Sequence, residues 1–388
     1  MESILLLTVV LFLVFAASGA TSPMLSLYLE SLGADYARIS IILTTYAIAS
    51  LVASYAWGRV SDRIGRRKPL VVGGLWGMGL AFGLLAIAPS YRFAWGVRIL
   101  EAVAMAAYGT ASLAFMGDLL ASNTARGRHM GSYRGLGSLS FALGAFGGGP
   151  IIQFLGMRQV YGLGALLLLA ASLVAGMIRE VPLSHEESTT PSPEASMQIS
   201  RWFLAGVLLW TGAFWAAYSM WPNFLSSLGY PKSAANWLWG LAALSEVPFM
   251  NITGTLSDTL GRAPVLAIGG FGLGLVMLGY VTLHRWLVGL IGVQLFRGFA
   301  YSAFMVTSMI YAAESSTARR RAGSVGAYNV AMALGQILGL AIGGQIAQRA
   351  GFTTLFLVST GMFLVSGWVF WALPRQRPTA WSAITTAR

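Results

Sequence analysis

The 388-residue sequence contains no cysteine, which excludes disulfides and thiolate metal sites. Histidine is nearly as scarce, with only His129, His185 and His284, and no HExxH or acidic cluster offers a metal site. The Gly-rich segments lack the Gly-Lys-Ser/Thr ending that cradles ATP phosphates. Charge is thin as well: 10% of residues are Asp, Glu, Lys or Arg, against about a quarter in soluble domains. Metalloenzyme, ATP-driven pump and soluble globular domain are thereby disfavoured. No catalytic residue set and no bound cofactor are expected.

Apolar residues fill the space that charge leaves. They make up 56% of the chain, mean hydropathy is +0.69, and there are 47 glycines and 13 tryptophans. Apolar runs of roughly 20 residues, enough to cross about 30 Å of hydrocarbon as a helix, recur from end to end. They predict twelve spans: 4–29, 38–57, 69–88, 91–116, 132–154, 159–179, 202–227, 232–253, 264–283, 285–312, 324–347 and 351–373. No Lys or Arg precedes the first run, which argues for a first transmembrane helix over a cleaved signal peptide.

The net charge of +12 does not gather on one domain, so nucleic acid is not an expected partner. Topology explains it better. With both termini in the cytoplasm, sixteen basic residues fall on the cytoplasmic side, from Arg59 in the first inner loop to Arg388. Only six fall outside: Arg38, Arg92, Arg158, Lys232, Arg285 and Arg349. That is the positive-inside bias of a multi-pass protein in the cytoplasmic membrane.

Between spans six and seven, Glu180 to Ser200 carries three prolines, four glutamates and no aromatics, the composition of a flexible linker. It separates residues 1–179 from 201–388, two predicted six-helix bundles. The halves repeat each other. Gly58, Asp62, Gly65 and Arg66 recur 196 residues later as Gly254, Asp258, Gly261 and Arg262, and Asp118 matches Glu314. At an offset of 195, Gly144, Gly148, Gly149 and Gly156 recur as Gly339, Gly343, Gly344 and Gly351. Parallel duplication about an axis along the membrane normal is a secondary-transporter architecture.

The densest charge lies in "GRVSDRIGRRKPL", Gly58 to Leu70, with six charges in thirteen residues. Glycines permit a tight turn, and Asp62 can meet a helix N-terminus or a neighbouring arginine. With its copy "GTLSDTLGRAPVL", Gly254 to Leu266, this stretch resembles the loop motif of the major facilitator superfamily, with Val60 for the usual Leu. The second copy has Thr259 where the first has Arg63 and is the thinner of the two. The resemblance covers nearly the whole chain. It implies an all-α membrane protein of twelve helices in two pseudo-symmetric bundles. It also implies a conformational latch made of Gly58, Asp62, Arg63, Gly65, Arg66 and Asp118, with Gly254, Asp258, Gly261 and Arg262 in the second half.

Ionisable groups within spans are costly, about 2.5–3.5 kcal/mol at mid-span on insertion scales, so each is a functional candidate. Arg98 and Glu101 stand one turn apart in span four, Arg134 in span five, Glu246 in span eight and Arg297 in span ten. Arg98 resembles the arginine of the family's helix-four motif, which is linked to proton transfer in many members, although Ala102 and Ala104 replace the motif's glycines. Glu101 can pair with Arg98. Glu246, in "ALSEVPFMN" beside Pro248, is the sharpest proton-carrier candidate, because hydrocarbon disfavours its anion. A structural glutamate paired with arginine is the alternative. In "GAFGGG", Gly144 to Gly149, Ala145 stands where the antiporter signature has proline, so only close helix packing is expected there.

In span seven Trp210, Phe214, Trp215, Tyr218 and Trp221 read as packing or interfacial belt, or as a wall against substrate. Tyr46 and Asn329 are further cavity candidates. Two short stretches, "SPMLSLYL" and Arg134 with "LSEVPFM", resemble the sugar-efflux branch of the superfamily. The expectation is a monomeric permease in the lipid bilayer, exporting a drug-like or sugar molecule by alternating access and drawing on the proton gradient. A nutrient importer of the same fold is the first alternative, and a membrane receptor that carries no substrate is the second.

Overall fold

A computed structural model describes residues 2–119, 126–178, 199–314 and 321–374; within these, side chains at 2, 62, 113, 117–119, 126–135 and 321–322 are not described. The side chains of Asp62, Asp118 and Arg134, and most of the 180–200 linker, therefore lie outside the described residues. Every regular element among the described residues is helical. In chain order they are α1 (Glu2–Thr21), a 3₁₀ turn (Ser22–Met24), α2 (Leu25–Ser31), α3 (Tyr36–Ile64), α4 (Lys68–Ala86), α5 (Tyr91–Leu119), α6 (Arg126–Phe154) and α7 (Met157–Met177). Then come α8 (Arg201–Ser227), α9 (Ser233–Leu260), α10 (Arg262–Leu283), α11 (Leu287–Glu314) and α12 (Arg321–Trp371).

Nine helical stretches among the described residues are long and apolar enough to cross a membrane. The last of them, 323–371, is broken at Gly351, whose φ of +82° lies outside the helical region. The predicted spans 324–347 and 351–373 thus fall on the two sides of one break. Span one bends at the 3₁₀ turn, where Pro23 has no N–H to donate to the helical ladder.

The internal repeat is written into the backbone. Among the described residues, positive φ occurs only at six glycines: Gly33, Gly65, Gly156, Gly229, Gly261 and Gly351. They form three pairs, Gly33 with Gly229, Gly65 with Gly261 and Gly156 with Gly351, separated by 196, 196 and 195 residues. A side chain at such a φ is strained, so both halves turn corners with the same residue at the same place. The sequence singles out the last two pairs; the first is visible only as geometry.

Helix packing repeats too. A Cβ built on Gly144 would fall 2.1 Å from the Ala16 carbonyl oxygen, and one on Gly148 would fall 2.9 Å from Ala20. In the second half a Cβ on Gly339 would fall 2.2 Å from the Gly212 oxygen, and one on Gly343 2.5 Å from the Ala216 oxygen. So α6 lies against α1, and α12 against α8, through small residues four apart whose backbones nearly touch. "GAFGGG" is thus a close-packing stretch, as its small residues suggest.

The chain packs as two compact units, residues 1–188 with 222–240, and residues 189–221 with 241–388. The segment 222–240, the C-terminal end of α8 and the start of α9, belongs with the first unit. There the Asn223 amide donates to Glu30 Oε2 at 2.6 Å, and the Asn236 amide donates to the Ala20 carbonyl beside the break in span one at 2.8 Å. Gly148 and Gly149 leave room for this segment: a Cβ on Gly149 would overlap the Trp237 indole at 1.9 Å.

Candidate functional site

Among the described residues, each unit buries an arginine–carboxylate pair beneath tyrosine. In the first unit Arg98 and Glu101 of α5 form an ion pair and are 7% and 5% exposed. The spacing of three residues brings both groups to one face of the helix. The Arg98 guanidinium lies 4.0 Å from the centre of the Tyr46 ring of α3. The Tyr161 ring of α7 meets that of Tyr28 at 4.7 Å.

In the second unit the pair is formed between helices. Arg297 Nη2 of α11 stands 3.7 Å from Glu246 Oε1 of α9, with Arg297 2% and Glu246 9% exposed. The guanidinium lies 4.6 Å from the Tyr218 ring centre and 6.0 Å from that of Phe214, and donates to Gln294 Oε1 at 3.4 Å. The Tyr218 and Tyr280 hydroxyls meet at 3.3 Å. A charge in low dielectric needs a partner and hydrogen bonds to be tolerated, and both clusters supply them.

Six of the coupling candidates fall into these clusters: Arg98, Glu101 and Tyr46 in one, and Glu246, Arg297 and Tyr218 in the other. Trp215 is half-buried and meets Phe214 in a T-shaped contact at 5.9 Å. Asn329 is exposed on α12 and joins neither cluster. Most of the span-seven aromatics are packing. Trp210 stacks on Phe304 at 3.7 Å and donates its indole N–H to the Gly269 carbonyl at 3.3 Å, and Trp221 is fully buried.

In the thinner motif copy Arg262 is the centre of a side-chain network. Gly261, with φ +90°, caps α10 and brings Arg262 round to face the end of α11. Its guanidinium grips Glu314 with two bonds, Nε to Oε2 at 3.0 Å and Nη2 to Oε1 at 2.9 Å. The same side chain reaches Asp258 Oδ1 at 2.6 Å and Ser257 Oγ at 2.8 Å. Bidentate Arg–carboxylate geometry adds direction to charge. A Cβ on Gly254 would meet Val306 at 3.8 Å, an ordinary van der Waals contact.

In the first copy Gly65, with φ +64°, ends α3, while Gly58 has nothing within 4 Å of its Cβ position. Arg63 and Arg66 are exposed, and it is Arg67 that donates to Ser61. Ser61 and Ser257 are repeat equivalents that no charge or glycine pattern marks. Only the 196-residue offset from one to the other could have flagged them.

Paired glycine corners, close-packed helix repeats and buried charge pairs inside long apolar helices define a duplicated membrane transporter. The family model of the Major Facilitator Superfamily matches residues 7–284 and 203–388, and the chain belongs to that family. It is 26% identical to a putative sugar efflux transporter of Deinococcus radiodurans, over 96% of this chain and 98% of that protein. A maltose permease of Geobacillus stearothermophilus is 25% identical, over 95% and 94% of the two chains. A multidrug resistance protein of Escherichia coli, MdtG, is 27% identical, over 94% and 93%. The crystal structure of the nucleoside transporter NupG superposes with a TM-score of 0.80 at 17% identity, covering 96% of this chain and 99% of that one.

Proposed function

We propose that the chain exports a sugar-like or small amphiphilic molecule across the cytoplasmic membrane, driven by inward movement of protons. In this reading twelve crossings place both termini in the cytoplasm. The halves 1–179 and 201–388, joined by the linker 180–200, alternate the side to which they open, and a single chain suffices.

The observation that carries the reading is the loose Glu246–Arg297 pair. At 3.7 Å it is a pair without a close hydrogen bond, inside a hydroxyl-bearing cluster of Tyr218 and Tyr280. A carboxylate held this way can take a proton without dismantling a tight ion pair, and its protonation changes the charge that faces Arg297. The Arg98–Glu101 pair is the candidate counterpart for hydroxyl-rich substrates. The names of the Deinococcus and Escherichia relatives, a putative sugar efflux transporter and a multidrug resistance protein, support export. The maltose permease favours the second reading, in which the same machinery works as an importer.

Flux into proteoliposomes under an imposed pH gradient separates the two. Export by antiport requires substrate and protons to move in opposite directions. Co-movement of substrate and protons would replace the export reading with symport, and no flux of any sugar or cationic dye would remove both.

A further inference from the structure

A groove of about 330 Å³ opens between the first turns of α3 and α5, lined by Arg38, Ile41, Ile42, Tyr91, Arg92 and Trp95. Its walls are fixed. Asp35 caps α3 by accepting from the Arg38 backbone N–H at 2.8 Å, and the Tyr91 N–H donates to the Leu32 carbonyl at 3.2 Å, tying the start of α5 to the turn that leads into α3. The Trp95 indole N–H donates to Thr45 Oγ1 at 2.7 Å, which holds its ring in place.

Two guanidinium groups share one ring here, Arg38 at 5.3 Å and Arg92 at 5.9 Å from the Tyr91 centroid. Asp35 answers Arg38 at 3.6 Å. Arg92 reaches the Tyr91 hydroxyl at 3.4 Å and has no carboxylate within ion-pair distance among the described residues. The groove therefore holds one more positive charge than it balances. Both arginines also belong to the six basic residues on the sparse side of the positive-inside count, where topology gives no reason for them.

Below the groove runs an apolar stripe on α3: Ile41 (44% exposed), Ile48 (44%) and Val52 (63%). From Ile41 to Val52 the helix rises about 16 Å, close to half of the roughly 30 Å hydrocarbon thickness. A charge-seeking head with a tail path one leaflet long is the shape of a phospholipid. We infer that this groove is a binding site for an anionic phospholipid, its phosphate held between Arg38 and Arg92, its glycerol region against Tyr91 and Trp95, and an acyl chain along Ile41, Ile48 and Val52. The site rests on membrane placement and not on the direction of transport.

The test is lipid retention by the full-length protein, purified and exposed to equimolar phosphatidylglycerol and phosphatidylcholine of matched acyl chains, read by native mass spectrometry. The wild-type protein should retain phosphatidylglycerol preferentially. Combined Arg38→Gln and Arg92→Gln should weaken that retention by at least about tenfold, on the scale of two interfacial basic contacts. Arg38→Lys with Arg92→Lys should keep most of it, and Arg349→Gln, at another exposed position, should change nothing. Equal retention of the two lipids by the wild type, or undiminished phosphatidylglycerol on the Gln double variant, overturns the inference. So does displacement of the lipid by millimolar inorganic phosphate, which would mark a site for free anions.

Discussion

Glu246 and Arg297 face each other from helices α9 and α11, and the distance between them sets what a substitution should do. Glu246→Gln keeps the shape and removes the titrating group, so transport should lose its pH dependence while the protein still inserts. A pH profile of proteoliposome flux that matches the wild type would pass the coupling role to another group. The tighter pair, Arg98 with Glu101, separates structure from function in another way. Removing one partner of a buried pair costs about 3–5 kcal/mol, because the other charge is left uncompensated. Glu101→Leu alone should therefore lower the thermal unfolding temperature sharply. Arg98→Met with Glu101→Leu should restore most of it and yet leave the protein unable to transport. A double variant that transports normally would make the pair a packing feature only.

These residues were legible because an ionisable group inside an apolar run stands out in a sequence. Arg98 with Glu101 was legible as a pair too, since both share one helix at a spacing of three. The pairing of Glu246 with Arg297 was not, because helix phase and tilt decide which faces of α9 and α11 meet. The motif copies show the same limit. Counting charges favours Gly58–Leu70, whereas the network at Arg262 depends on the turn at Gly261 and on a glutamate 52 residues away. Glu314→Gln and Asp62→Asn should each reduce transport severalfold without loss of membrane insertion. Full activity of both variants would remove the latch role.

At the scale of helices, the close crossings make the sharpest prediction. Gly144→Val and Gly339→Val place a branched side chain where a Cβ alone would lie within 2.2 Å of backbone. Overpacking of this kind costs about 1–3 kcal/mol or more, and backbone cannot yield as a flexible side chain does. Both variants should unfold at lower temperature than Gly176→Val, a glycine with open space at its Cβ position. Equal melting temperatures for all three would contradict the packing. The sequence made these crossings visible through repeated glycines four apart. It did not show that Gly148 and Gly149 also seat Asn236 and Trp237 of α9, since nothing in a repeat says where it meets a non-repeated neighbour.

Over the whole chain, the 195- to 196-residue period was legible from motifs and reappears in backbone dihedrals that no composition reveals. The proposed topology is open to direct mapping. The absence of native cysteine allows single cysteines to be placed at will. A thiol at either end should react with membrane-impermeant reagent only after the inner face is opened, and labelling of one terminus from outside would refute an even number of crossings.

The allegiance of residues 222–240 to the first unit has a practical outcome for anyone dissecting this molecule. A fragment ending in the linker would keep Ala20 and Glu30 but lose Asn236 and Asn223, the amides that satisfy them. It would also carry a hollow over Gly149 that the indole of Trp237 normally fills. Cut at the linker, the two pieces should be recovered from membranes only when made together, each rescuing the other from degradation.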